Sequence, residues 1–230
     1  MELLVVRRHP VKAMAGETLD VVDVGPRGLA GDRWYAVRDA QGRFASGKNT
    51  RRFRLHDEVF EFGARTVGPD GDVEVYRHDG SAGPWVAGDR DLDEHLSQRF
   101  DEPVRVQVEG EVSHFDDAPV SLVGTASLDR VAELTGAPVD HRRLRTNLVV
   151  STTEPFVEED WTSVRIGTVT FRVVQRTTRC RMVDLAQNGL TDQVPLLKAL
   201  GSTRDTQLGV YLAPQDAGTL RVGDPVTPTR

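Results

Sequence analysis

VRIGTVTFRVVQRTTRCR, residues 164–181, decides how the chain is read. Val169, Phe171 and Val173 alternate with Thr168, Thr170 and Arg172, the period of two that belongs to a strand with one buried face. That strand runs into RTTRCR, so the single cysteine, Cys180, falls just past a strand end, on a loop positioned by rigid scaffold. Free cysteine ordinarily packs as a small hydrophobe. Arg176, Arg179 and Arg181 are a costly coat for a core residue, and guanidinium charge nearby favours thiolate over thiol. Along an extended R-C-R stretch the two flanking side chains point away from the sulfur, so the nearest cation has to come from elsewhere in the fold. A thiolate ligand or nucleophile and a structural cysteine both stay open at this point.

Working outward, residues 2–9, 17–24, 34–38, 59–62 and 73–77 are short, rich in Val, Leu, Phe and Tyr, and separated by Gly, Pro and Asp turns, as in a twisted antiparallel sheet or barrel. DLDEHLSQRF (91–100) predicts a helix with Asp91 as cap, Glu94 three residues on as in a capping box, and Leu92, Leu96 and Phe100 on one face. PVRVQV (103–108) reads as a strand, and SLVGTASLDRVAELTG (121–136) as a helix that Gly136 and Pro138 stop. NLVVS (147–151), the 164–175 strand, LGVYLAP, TLRVG and PVTP supply further strands, and a short helix is expected around 192–200, ending at Gly201. The fold class is therefore β-rich α+β: an N-terminal β-barrel-like domain over 1–88 and a larger β-barrel domain over 89–230 with a few short helices, N-terminal strands completing the second barrel.

At 230 residues the chain can bury a substantial core. The apolar part of MELLVVRRHP is too short for a signal sequence and reads as a first strand, and no apolar run is long enough to span a bilayer, so a reducing cytoplasm is the expected setting. A net charge of −6 argues against a general polyanion binder, yet residues 141–181 hold eight arginines against four acids. One cysteine excludes an intrachain disulfide, a resident iron–sulfur cluster and a CxxC centre. The histidines 9, 56, 78, 95, 114 and 141 show no zinc-ligand spacing.

GRFASGKN (42–49) nearly spells a phosphate-binding P-loop, but Asn49 stands where a hydroxyl must hold magnesium and no helix pattern follows. It reads as a surface hairpin whose arginines are solvated or reach an anion. The paired carboxylates of FDDAP (115–119) and EED (158–160) read as solvated turns. RRLRTN (142–147) is more promising, because arginine forks grip phosphate or carboxylate and Asn147 can read an amide or ring edge. Lys12 and Arg33 sit in turn-rich positions and, with these, suit a polyanionic, heteroatom-rich ligand.

In order, HPVKAMAGETL (9–19) and GLAGDRWYAVRDAQGRFAS (28–46) resemble the N-terminal β-barrel domain that accompanies the MOSC family, named for the C-terminal domain of molybdenum cofactor sulfurases. FDDAPVSLVGTASL (115–128), RRLRTNLVV (142–150), FVEEDWTSVRIGTVTFRVVQRTTRCRMVDL (156–185) and LGVYL with AGTLRVGDPV (208–212 and 217–226) resemble the MOSC core. The resemblance implies that Cys180 ligates molybdenum. It also implies that Lys12, Arg33, Arg145 and Asn147, with Thr178, Arg179 and Asp184 around the cysteine, bind the pterin cofactor. The chemistry agrees: a soft thiolate suits molybdenum, and basic forks suit a phosphorylated pterin. Three departures from the family pattern stand out. Ala13 replaces a serine that could bind phosphate, Thr146 replaces a proline, and DLAQNG (184–189) lacks the usual acidic-proline step.

The implied function is a molybdenum-cofactor-dependent oxidoreductase acting on N-hydroxylated compounds. The alternative is a carrier of the cofactor, or of sulfur as a persulfide on Cys180, without turnover of its own. No iron–sulfur, flavin or nicotinamide motif accompanies the cysteine, and the pyridoxal-phosphate desulfurase domain of the family's sulfurases has no counterpart here. A separate ferredoxin- or haem-type electron donor with its reductase, and a small-molecule substrate, are the expected partners; nucleic acid and membrane are not.

Overall fold

The computed structural model describes residues 1–68, 71–187, 189–190, 192 and 194–230. The strands in its first part are β1 (Leu3–Arg8), β2 (Glu17–Leu19), β3 (Val21–Gly25), β4 (Gly28–Leu29), β5 (Tyr35–Asp39), β6 (Phe44–Ser46), β7 (Phe53–Leu55), β8 (Phe62–Val67), β9 (Asp72–Arg77) and β10 (Trp85–Val86). Helix α1 (Arg90–Phe100) leads to β11 (Val104–Val108) and β12 (Val120–Gly124), and helix α2 (Thr125–Thr135) to β13 (Leu148–Val150), β14 (Ser163–Ile166) and β15 (Val169–Thr178). Helix α3 (Leu196–Arg204) precedes β16 (Gln207–Pro214), β17 (Gly218–Arg221) and β18 (Val226–Thr229).

The alternation at 169–173 does make a strand, but 164–175 is a hairpin. Gly167, at φ 55°, turns β14 back on β15, with Ile166 opposite Val169. SLVG of the expected second helix is strand instead, buried on both faces as β12, and the helix starts at Thr125. A strand with helices and sheet on either side reads as a continuous apolar run, which periodicity alone does not separate from helix. Residues 59–62 lie largely in a 3₁₀ turn (Asp57–Glu61) rather than a strand. The capping box at 91–94 does not form: the cap position falls two residues earlier, at Asp89, and Glu94 pairs with Arg90. Gly201 is inside α3, not at its end, and the expected start near 192 includes Gln193, which lies outside the described residues.

The main sheet has eight strands in the order β18-β14-β15-β16-β12-β13-β1-β2. The expected barrel is not a closed one: among the described residues the ladder ends at β18 and β2. The sheet curls, because the start of β1 reaches the segment before β18 at the far edge. Glu2 bridges Pro225, Leu3 N–H donates to Asp224 O at 2.9 Å, and Gly223 N–H donates to Leu3 O at 2.8 Å. A few bonds thus stitch the start of β1 to the β18 edge, which no strand pairing joins. Leu3 and Val6 of β1 fill one apolar core with Leu122, Leu148, Phe171 and Leu212. A second core gathers Met14, Phe60, Phe62, Val75, Leu92, Leu96 and Phe100. Burying a single Phe or Leu contributes about 2–3 kcal/mol, so each core fixes the backbone that borders it.

Candidate functional site

A cavity of about 110 Å³ has a lining that includes Lys12, Arg33, Arg145, Thr178, Arg179 and Cys180. These six expected residues come together from four separate stretches of chain. Asn147 and Asp184 do not line it. Asn147 is buried behind the wall, where Oδ1 accepts from Arg33 Nη1 (3.3 Å), Ser121 N–H and Ser121 Oγ, and Nδ2 donates to Arg7 O. Asp184 Oδ1 instead accepts from Leu197 N–H at the start of α3.

Cys180 is half-buried and extended (φ −131°), immediately before a 3₁₀ turn, Arg181–Asp184. The three arginines that crowd it in sequence turn elsewhere. Arg176 faces Glu159 and Asp160, Arg181 forks onto Asp57, and Arg179 is buried with its guanidinium on the carbonyls of Leu208 and Leu144. Burial lowers the Arg179 pKa to about 10. Its role here is to tie β15 to β16 and to the 141–144 turn.

Three lining residues, Ala13 (φ 69°), Arg33 (φ 52°) and Arg145 (φ 53°), are in the left-handed region that side chains other than glycine's rarely adopt. Each such conformation costs on the order of 1 kcal/mol and persists only where its surroundings over-determine it. At Arg145 the reason is visible. It caps the 3₁₀ turn His141–Leu144, its carbonyl accepts from Arg33 Nη2 at 3.2 Å, and its Nη2 donates to Met14 O at 2.7 Å. Arg33 is held further by Asp32. Arg145 Nη1 is buried with no partner among the described residues, as is Oγ1 of Thr177, another lining residue. Burial, then the neighbouring Arg33 and Arg7, bring the Arg145 pKa down to about 9.

Several lining residues escaped the sequence reading: Ser46, Lys48, Asp116, Asp117, Ser121 and Tyr211. The first two belong to the P-loop look-alike, which is not a solvated hairpin. Phe44, Ala45 and Ser46 are all buried, and β6 pairs with both β5 and β7. Gly47 is there for close packing, since a Cβ would meet Met182, Leu185 and Phe60 at 3.1–3.2 Å. Asp116 and Asp117 come from the FDDAP turn. Lys12 Nζ donates to Asp116 Oδ1 (2.8 Å) and to His114 O (2.5 Å). Burial brings the Lys12 pKa down to about 8. Burial pushes the Asp116 carboxyl up, but Lys12 and Lys48 outweigh it and hold it well below the usual carboxylate range. The cavity is thus a cationic, half-enclosed site with one soft sulfur, walled in part by an arginine whose Nη1 is buried without a partner among the described residues, and suited to an anion or an electron-rich heteroatom ligand.

The MOSC domain profile matches residues 94–227. Over 78 residues, 33% of this chain and 9% of the relative, the sequence is 38% identical to a molybdenum cofactor sulfurase of Danio rerio. Over 129 residues, 50% of this chain and 38% of the relative, it is 30% identical to mitochondrial amidoxime-reducing component 1 of Mus musculus. The chain therefore spans well under half the length of these two curated relatives. Among solved structures, the YUAD protein from Bacillus subtilis aligns over 98% of this chain and 93% of its own at a TM-score of 0.54 and 13% identity, a likeness of fold alone.

Proposed function

This chain belongs to the MOSC domain family, and from that premise we propose that it binds a molybdenum-pterin cofactor at the Cys180 cavity and serves as the reducing component for N-hydroxylated small molecules. The observation that carries the proposal is that Arg145, which lines the same cavity as the only thiol, keeps a buried cationic donor, Nη1, without a partner among the described residues. An unmet charged donor in a dry site is costly unless an anion answers it. The donor set fits a phosphorylated pterin: Lys12, Arg33 and Arg145 for the anionic groups, and Cys180 as a soft ligand for the metal. The volume fits only if the mouth opens, since about 110 Å³ is below the roughly 300 Å³ of small-ligand pockets. The Lys12–Asp116 pair is the contact that has to part.

When bound, the cofactor supplies a redox-active metal for removing the substrate oxygen. The protein's residues hold the anionic end, present the thiolate and keep the cationic walls rigid through Arg179 and Asn147. Electrons come from a separate ferredoxin- or haem-type donor with its reductase. The test is elemental and pterin analysis of chain purified from a host that makes the cofactor, followed by benzamidoxime turnover. Near-stoichiometric molybdenum is expected, with turnover driven by reduced viologen and none by NADH alone. Absence of both metal and pterin overturns the proposal.

One observation favours a second reading, a sulfur carrier with a persulfide on Cys180. The cavity as it stands has room for one more sulfur atom without any rearrangement. Molybdenum that is bound and reducible yet inert toward benzamidoxime would favour a carrier role over turnover.

A further inference from the structure

Residues 109–119 join β11 to β12 without entering a strand or helix, yet they supply Asp116 and Asp117 to the cavity. Five successive carbonyls of this segment each accept a hydrogen bond from a cationic side chain of the first 52 residues. Arg38 Nη2 donates to Val112 O (3.3 Å), Arg52 Nη2 to Ser113 O (2.7 Å) and to Phe115 O (2.6 Å), Lys12 Nζ to His114 O (2.5 Å), and Arg52 Nη1 to Asp116 O (3.2 Å). Arg52 takes three of the five.

The same cations share an aromatic seat. Lys12, Arg38 and Arg52 lie 5.7, 4.7 and 5.4 Å from the Phe44 ring centre, and Arg52 and Lys48 lie 5.4 and 4.9 Å from that of Phe53. Both rings are buried, so the seat is fixed by β6 and β7. His114 completes the fastening: with Arg38 Nη2 donating to its Nε2 at 3.0 Å, its Nδ1 carries the proton and donates to Arg33 O at 3.0 Å.

We propose that Arg52 is a positioning residue, a strap that sets the aperture of the Cys180 cavity by holding the 113–116 backbone so that Asp116 stays against Lys12. A planar guanidinium with five donors can reach three carbonyls at once, whereas an ammonium at the same place is a point charge with one nitrogen. Among the described residues, 112–116 take part in no strand ladder, so releasing the strap frees Asp116 without dismantling a sheet. This holds whatever ligand the cavity takes.

Cys180 is the only cysteine, which makes thiol labelling a site-specific gauge of the aperture. The experiment follows the rate of an aromatic disulfide reagent on the full chain produced without molybdenum, alongside hydrogen exchange of the 112–117 amides. Arg52→Ala and Arg52→Lys should each raise the labelling rate about tenfold and speed exchange in that segment, while Arg51→Ala, an exposed arginine next door, leaves both at the wild-type value. Should Arg52→Ala fail to fold, Arg52→Lys carries the test. Wild-type behaviour of Arg52→Lys overturns the proposal by reducing the effect to charge. So does faster exchange spread through β15 and β16, which would mark general loosening rather than a local strap.

Discussion

Lys12 and Asp116, 104 residues apart, meet at 2.8 Å across the cavity that holds Cys180. The contact joins the N-terminal turn to the acidic loop, and both residues line the cavity. It also makes Lys12 a reporter. Its pKa, brought down to about 8 by burial against an ordinary 10.5, lies below the unfolded value. Folding therefore penalises its charged form fully below about pH 8, and the penalty fades as pH rises toward 10.5.

Two pH effects of opposite sense follow. Chemical denaturation of the ligand-free chain should show Lys12 contributing stability as pH rises from 8 to 10, a slope lost in Lys12→Met. Inorganic phosphate, as a probe of the cavity, should bind less tightly as pH climbs through 8 because the ammonium loses its charge. Calorimetric titration across pH 8 in wild type and Lys12→Met checks this, and the same pH dependence in both would take Lys12 out of the anion site.

Cys180→Ser should abolish molybdenum retention while shifting the unfolding free energy by less than about 1 kcal/mol, since the residue is half-buried at the edge of a turn. Elemental analysis and a denaturant titration on the same preparation separate the two. Loss of folding, or full metal content, contradicts the ligand role.

Arg145→Ala should weaken cofactor or phosphate binding by roughly ten- to a hundred-fold, the worth of a charge-assisted bond. Lys12→Ala should weaken it less, because Lys12 is already paired in the ligand-free protein and Arg145 Nη1 is not. Equal losses from both would mean a diffuse field and no formed subsite.

Gly209→Ala tests the wall behind the thiol. At φ 74° a side chain is strained, and its Cβ would lie 2.5 Å from Leu122 O and 3.4 Å from Arg179 Nη2. The expected loss is about 2–4 kcal/mol in a thermal or denaturant melt. An unperturbed melt would mean that β16 yields where the packing says it cannot.

Part of the site was legible in sequence because Cys180 is the single cysteine and lies just past a strand end, whereas Arg33 and Arg145, two of 26 arginines, were marked out by the family resemblance. Asn147 and Asp184 were legible as polar residues, but which way each faces depends on partners 26 and 13 residues away. The FDDAP turn and the SGK stretch were misread for a related reason. Charge in a loop looks solvated unless one knows that another loop closes over it, and the 109–119 and 46–52 segments meet only in three dimensions. The arginines around Cys180 misled in the other direction, since adjacency in sequence put none of their side-chain bonds on the sulfur. For the fold, period-two alternation found β15, whereas β12, buried on every position, carried no period to read.

The pairing of β1 between β13 and β2 has a consequence for synthesis. Leu3, Val5 and Val6 find their partners at Val150, Val149 and Leu148, so an apolar strand leaves the ribosome well over a hundred residues before its β13 neighbour exists. Contacts of such long sequence separation fold slowly and leave intermediates open to aggregation. The matched stretch 94–227, made alone, lacks this strand and would show the bare flank of β13 to any passing chain. Soluble yield should therefore depend on keeping the first eight residues and on slowing translation or cooling the host, even where every cavity residue is intact.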